Sequence, residues 1–462
     1  MSSLRDLLLH AAAHAAEYRE EVAAGPVVPL DVDLEEVRDR LGSLRDESTA
    51  PGTALDELVR AVTPALVATT GPRYFGFVVG GALDAATAAD VLTTGWDQLA
   101  FNAATSPAAA VVEEVAGGWL KDLLGLPVTA SFGFVTGGQA ANTVSLAAAR
   151  HHVLGRVGWD VERDGLTGAP PIRVVATGER HATLDRALRL LGLGAAVVEP
   201  VATDAQGAID VVDLETVLEH GPTAPTIVCL QAGNVNSGAF DDLARATAVG
   251  HRFGAWVHVD GAFGLWAASN PATCHLTAGM EAADSWATDG HKWLNVPYDS
   301  GYAFCAHPGA HAAAMSYTAA YLTGQAEGGV RGPSDYVQES SRRARGFVTW
   351  AALRQLGRHG VAELVERCCS LARRFADQLG AVEGVGVVND VVLNQVLVDF
   401  GGDVETGRVI DLVQRSGECW MGGTTWHGQR LMRISVSNWR TTKADVDRSV
   451  AAIVAAAKRA RA

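Results

Sequence analysis

The chain has 462 residues and a mass of 48.3 kDa, 48% of them hydrophobic and 19% charged, which is material for a large core divided among more than one lobe and excludes disordered and fibrous classes. A formal net charge of −15 repels a phosphate backbone and argues against nucleic acid as a partner. The six cysteines (Cys229, Cys274, Cys305, Cys368, Cys369 and Cys419) form neither a CxxC pair nor a Cys/His cluster with zinc-ligand spacing, which predicts reduced thiols, a cytoplasmic protein and no metal site.

The opening stretch, MSSLRDLLLHAAAHAAEYREEV, sets Arg5, Asp6, Glu17 and Glu20 around apolar residues and reads as an amphipathic helix rather than an export signal. No apolar run reaches the roughly 18–20 residues of a membrane span. Helical patterning with breaks at Gly25-Pro26 and Pro51-Gly52 defines a helical N-terminal arm, 1–125. From 126 to 345, the short apolar runs SFGFV, RVVAT, AAVVEPV, TIVCLQ, WVHVD, SWAT and GYAFCA alternate with helix-length segments. Buried strands alternating with helices predict an α/β domain with a mostly parallel sheet covered on both faces. Between His311 and Arg345, the residues Gly324, Gly328, Gly329, Gly332 and Pro333 read as a mobile loop. A long helix from Phe347 to about Leu379 then opens a smaller α+β domain, 346–462, with VGVVND, NQVLVDF and LMRISVS as strands.

In an open α/β sheet, ligands lie beyond the carboxyl ends of the strands. SFGFV is followed by Thr136-Gly137-Gly138-Gln139 and a helix, so the two glycines form either a tight turn or an anion cradle at a helix N-terminus. RVVAT leads to Glu179-Arg180-His181, where the imidazole is either a structural cap or a plate against a ring. WVHVD ends in Asp260-Gly261-Ala262, a buried acid that needs a donor or a cation and is otherwise a helix cap. SWAT leads to Asp289-Gly290-His291-Lys292-Trp293, placing a lysine beside apolar residues that would lower its pKa. Lysine occurs at only four positions, and Lys121, Lys443 and Lys458 read as solvated, which leaves Lys292 as the candidate amine nucleophile. Together, an anion cradle, a buried acid, a desolvated lysine and an imidazole on strand ends suit a phosphorylated pyridine aldehyde.

The motifs PRYFGFV, SPAAAVVEEVAGGWLKDLLGLP, TGGQAANTVSLAAAR, ERHATLDRALRLLGLG, VHVDGAFG, TDGHKWLNVPYDSG and LMRISVSNWRTT, in that order, resemble the pyridoxal-phosphate-dependent group II decarboxylases, which act on aromatic amino acids, glutamate, histidine, diaminobutyrate or cysteine sulfinate. The resemblance runs from about residue 60 to about 455. It implies a fold type I enzyme with a mostly parallel seven-stranded sheet, pyridoxal 5'-phosphate as cofactor, and a homodimer whose active sites lie at the interface. Lys292 matches the lysine that condenses with the cofactor, Asp260 the partner of the pyridine nitrogen, and His181 the histidine stacked on the ring. Ala262 matches the small residue under the ring, while Gly137, Gly138 and His291 match the phosphate site. Arg433 is similar to the arginine near the substrate carboxylate, and Leu99 and Phe101 correspond to residues that reach into the neighbour's pocket.

By the same resemblance, the Gly-rich segment is a catalytic loop whose proton-donating tyrosine is Tyr336, with Tyr321 second. Two positions depart from relatives. Asp289 stands where many have asparagine, and an acid facing a phosphate repels it, so Asp289 is expected to turn away or accept a backbone N–H. Asn234, Asn236 and Ser237 replace a Thr-rich turn and either bind the cofactor or build the turn. The expected reaction is decarboxylation of an L-amino acid, with an aromatic or bulky side chain favoured over acidic and diamino ones. Carbon–carbon lyase, aldehyde synthase, aminotransferase and a catalytically silent binding protein are the alternatives.

Overall fold

Seven strands form one sheet: β1 (Ser131–Val135), β2 (Arg173–Thr177), β3 (Val198–Val201), β4 (Thr226–Gln231), β5 (Trp256–Asp260), β6 (Ser285–Asp289) and β7 (Gly301–Cys305), in the order β1-β7-β6-β5-β4-β2-β3. Every residue of β1, β2, β4, β5, β6 and β7 is buried, as Val-rich runs covered on both faces require. Pairings among β2 to β6 are parallel, whereas β7 runs antiparallel to both β6 and β1. The physical reason is the connection: β6 returns to β7 through residues 290–300, too short for the helical crossover that parallel strands need. Because β1 and β6 both oppose β7, they share one direction. The carboxyl ends of β1, β2, β4, β5 and β6 therefore open on one side of the sheet. The expected strand AAVVEPV is half a strand; Ala195–Val197 forms a short helical turn before β3.

The structure, a computed structural model, describes residues 3–30, 32–317 and 331–461. It divides into two compact units, one of Ala82–Ala372 with Asn389–Gln395, the other of Met1–Gly81, Arg373–Val388 and Val396–Ala462. The first unit holds the sheet and the helices α4 (Asp84–Trp96) and α5 (Pro107–Leu123), which the sequence reading put in the arm. Two helices run from Gly346 to Gly380 and meet at Gly357, whose φ of 61° breaks the turn.

In the second unit, α1 (Leu4–Glu21), α2 (Leu34–Leu41) and α3 (Pro51–Val62) accompany a four-stranded sheet. Pro51 starts α3 at its first turn, where a missing N–H costs nothing. The sheet contains a strand the sequence did not announce, Gly422–Trp426, paired with Gln429–Ser435 through His427 and Gly428, both at positive φ. No helix among the described residues is long and apolar enough to cross a membrane.

At the end of the large sheet opposite the strand carboxyl ends, Asp284 accepts from Val257 N (2.7 Å), His307 Nε2 (2.7 Å) and His251 Nε2 (3.0 Å). Burial alone would raise its pKa, but these hydrogen bonds outweigh that and hold the carboxyl below its ordinary value. A depressed native pKa stabilises the fold above the unfolded-state value near 4, and that contribution is lost as pH falls through the native one. Asp284→Asn is expected to cost about 1–3 kcal/mol near neutral pH, with the deficit narrowing below about pH 4. Thermal unfolding of both proteins at neutral and acid pH checks this, and equal midpoints at neutral pH refute it.

Candidate active site

The turn after β1 is packed too closely for any side chain. A Cβ on Gly137 would lie 2.9 Å from His291 Cε1, one on Gly138 2.8 Å from Asp289 Oδ2, and one on Gly301 of β7 2.5 Å from Gly137 Cα. Gly138 is the first residue of α6 (Gly138–Gly155), so the turn presents a helix N-terminus at the strand ends. Asp289, ending β6, sends Oδ1 to the Gly138 N–H at 2.5 Å and to His291 Nε2 at 3.3 Å, and Oδ2 to Lys292 Nζ at 3.0 Å. It does not turn away; it takes the backbone N–H and also pairs the lysine. Burial lowers the His291 pKa against the opposing pull of Asp289. Its Nδ1 accepts from Ser300 N at 3.1 Å, which leaves the proton on Nε2, facing Asp289.

Asp260, ending β5 beside β6, is buried and accepts from Ala262 N (3.2 Å) and Asn142 Nδ2 (2.9 Å). The Ala262 carbonyl in turn accepts from Asp289 N at 2.9 Å, tying the two strand ends together. His181 caps the helix Ala182–Leu190: its Nδ1 takes the Thr183 N–H at 3.3 Å and lies 2.7 Å from Thr183 Oγ1. That hydroxyl lies 3.5 Å from Asn142 Nδ2, so His181 connects to the Asp260 group through one residue. Gly137, Gly138, Asp260, Ala262, His291, Lys292 and His181 thus lie at or just beyond the carboxyl ends of β1, β2, β5 and β6.

The other expected residues have the following surroundings. Asn234 builds its turn, its Oδ1 accepting from Asn236 N (2.9 Å) and Ser237 N (3.3 Å) and its Nδ2 donating to Glu179 O (3.3 Å). The Tyr336 ring packs between Arg331, 4.2 Å away, and His311, and its carbonyl accepts from His311 Nε2 at 2.9 Å. Its backbone abuts Gly133 in the middle of β1, not the glycine turn. Phe101 is buried and its carbonyl accepts from Ser334 N at 3.1 Å. Arg433 belongs to the other compact unit, opposite Gly422, where burial lowers its pKa. Tyr321, Gly324, Gly328 and Gly329 lie outside the described residues. The segment expected to be a mobile loop has a fixed C-terminal flank: Arg342 grips Glu113 of α5 in a buried two-point ion pair at 2.6 and 2.8 Å. Lys121 is not simply solvated, since Nζ donates to Val128 O and Ala130 O, and burial lowers its pKa.

Sequence reasoning missed Asn142. A signal was available, because Asn142 stands four residues after Gly138 and therefore faces the same way from α6.

The sequence profile described as the pyridoxal-dependent decarboxylase conserved domain matches residues 45–400. This chain belongs to that family. Tryptophan decarboxylase 1 of Oryza sativa subsp. japonica is 27% identical over 94% of this chain and 90% of its own length, and 4-hydroxyphenylacetaldehyde synthase of Rhodiola rosea is 25% identical over 88% and 86%. The crystal structure of Oryza sativa TDC with PLP and tryptamine superposes with a TM-score of 0.91, at 25% identity, over 99% of this chain and 98% of that one. The enzyme is a pyridoxal-phosphate-dependent carboxy-lyase of fold type I. Its residues fit the cofactor: a side-chain-free turn at a helix N-terminus for the phosphate, a buried carboxylate for the ring nitrogen, and a lysine for the aldehyde. Gly138→Ala drives a methyl group into Asp289 and is expected to weaken pyridoxal phosphate binding by at least about tenfold. Fluorescence titration measures it, with circular dichroism to verify the fold; unchanged affinity would remove the turn from the phosphate site.

Proposed function

We propose that the enzyme decarboxylates an aromatic L-amino acid at its α-carbon, releasing the amine and carbon dioxide. The observation that carries the reaction is the meeting of Lys292, Asp289 and the Gly138 N–H at one strand end, beside Asp260 at the next. The aromatic substrate is supported by the relatives, whose names specify tryptophan and 4-hydroxyphenylacetaldehyde chemistry. Pyridoxal phosphate, when bound, supplies the electron sink. Lys292 would hold the cofactor's aldehyde carbon, and Gly137, Gly138 and His291 would hold its phosphate. Asp260 would keep a proton on the ring nitrogen, and His181 would face the ring and move protons. Arg433 is assigned to the substrate carboxylate by resemblance alone.

The enzyme acts as a homodimer. An exposed apolar groove of about 730 Å³, lined by Leu92, Trp96, Val112, Phe347 and Trp350, supports a second copy as its cover. None of the six cysteines is in a disulfide, which supports a reducing compartment.

A second reading is an aldehyde synthase, supported by the likeness to 4-hydroxyphenylacetaldehyde synthase of Rhodiola rosea. Product analysis on L-tryptophan, L-tyrosine and L-phenylalanine separates the two. Carbon dioxide with the amine supports decarboxylation; aldehyde, ammonia and hydrogen peroxide at the expense of dioxygen support the synthase. Lys292→Ala is expected to abolish both turnover and the visible band of the lysine-linked cofactor, and a variant that keeps both refutes the assignment. Sedimentation is expected to give twice the 48.3 kDa chain mass, and Trp350→Glu to shift the protein toward monomer; a wild-type monomer would refute the dimer.

A further inference from the structure

Behind Asp260 runs a chain of side chains that touches neither the glycine turn nor Lys292. Asp260 Oδ2 accepts from Asn142 Nδ2 at 2.9 Å, and Asn142 Oδ1 lies 3.0 Å from His258 Nε2. His258 Nδ1 lies 2.9 Å from Ser285 Oγ, which is 2.9 Å from Trp256 Nε1. Asn142, His258, Ser285 and Trp256 are all buried, so no bulk water substitutes for any link.

The direction of every bond follows from the far end. An indole N–H only donates, so Ser285 Oγ accepts from Trp256 and, with His258 Nδ1 its only other partner among the described residues, turns its own proton there. His258 then carries its proton on Nε2 and donates to Asn142 Oδ1, which forces the amide N–H toward Asp260. Burial pushes the His258 imidazole down to about 4, in keeping with a neutral ring that donates once and accepts once.

We propose that Trp256, Ser285, His258 and Asn142 form a positioning relay that keeps an N–H donor on Asp260 and so keeps the shared proton on the cofactor's ring nitrogen. This rests on the reading of Asp260 as that nitrogen's partner. A buried carboxylate stripped of a donor gains proton affinity and takes the proton back. The ring then loses its positive charge and its capacity as an electron sink. Asn142 and His258 do this without touching the substrate.

The test uses holoenzyme loaded with pyridoxal phosphate labelled with ¹⁵N in the ring. The wild type is expected to show the nitrogen shift of a protonated pyridine, and Asn142→Leu and His258→Leu the shift of a neutral one, with kcat reduced at least about tenfold. His258→Gln, whose amide can still donate toward Asn142, is expected to retain the protonated shift. Should a buried leucine cost the fold, Ser285→Ala, which lets the imidazole change tautomer, carries the same expectation as the leucine variants. A protonated shift in folded leucine or Ser285→Ala variants overturns the relay alone. Failure of the wild type to form the visible lysine-linked band overturns the cofactor reading and the relay with it.

Discussion

A carboxylate taken out of water costs several kcal/mol unless donors or a cation meet it, and this chain places two of them, Asp260 and Asp289, on adjacent strand ends. Nearly everything around the site follows from meeting that requirement. Asp289 is satisfied by a helix N-terminus, a lysine and an imidazole, and Asp260 by an amide and a backbone N–H. The residues that satisfy the acids include Lys292 and His291, which the proposed function assigns to the cofactor, so under that reading the same contacts serve folding and function.

The antiparallel β7 makes this arrangement possible. By returning directly from β6, it leaves residues 290–300 as a short irregular connection, in which the backbone can turn Lys292 and His291 back toward Asp289. Its first residue, Gly301, lies against Gly137, so the strand between β1 and β6 also sets the floor of the glycine turn. A helical crossover at that place would have carried Lys292 away along its axis.

Features that depend on neighbouring residues were legible in the sequence. Val-rich runs such as RVVAT and TIVCLQ mark their strands locally, and the glycine pair after SFGFV marks its turn. Lys292 stood out because the chain has so few lysines. What was illegible depends on distant partners. The Asn142–Asp260 bond joins residues 118 apart, and nothing in TGGQAAN alone says where its amide points. Asn234 carried the right chemistry for binding, but its polar atoms are engaged by the backbone of its own turn and of Glu179. Gly422–Trp426 is Gly- and Thr-rich and half-exposed at a sheet edge, so it lacks the apolar signature of a strand.

Strand β6 is bracketed by acids: Asp284 immediately precedes it and Asp289 ends it. Five extended residues put them roughly 16 Å apart. One end of the strand anchors histidines that bear on acid tolerance, and the other gathers the reactive lysine. The two share a single strand but no side-chain hydrogen-bonding or ion-pair partner. An engineer could therefore retune how this protein withstands acid through Asp284 and its histidines and leave the chemistry at the far end untouched.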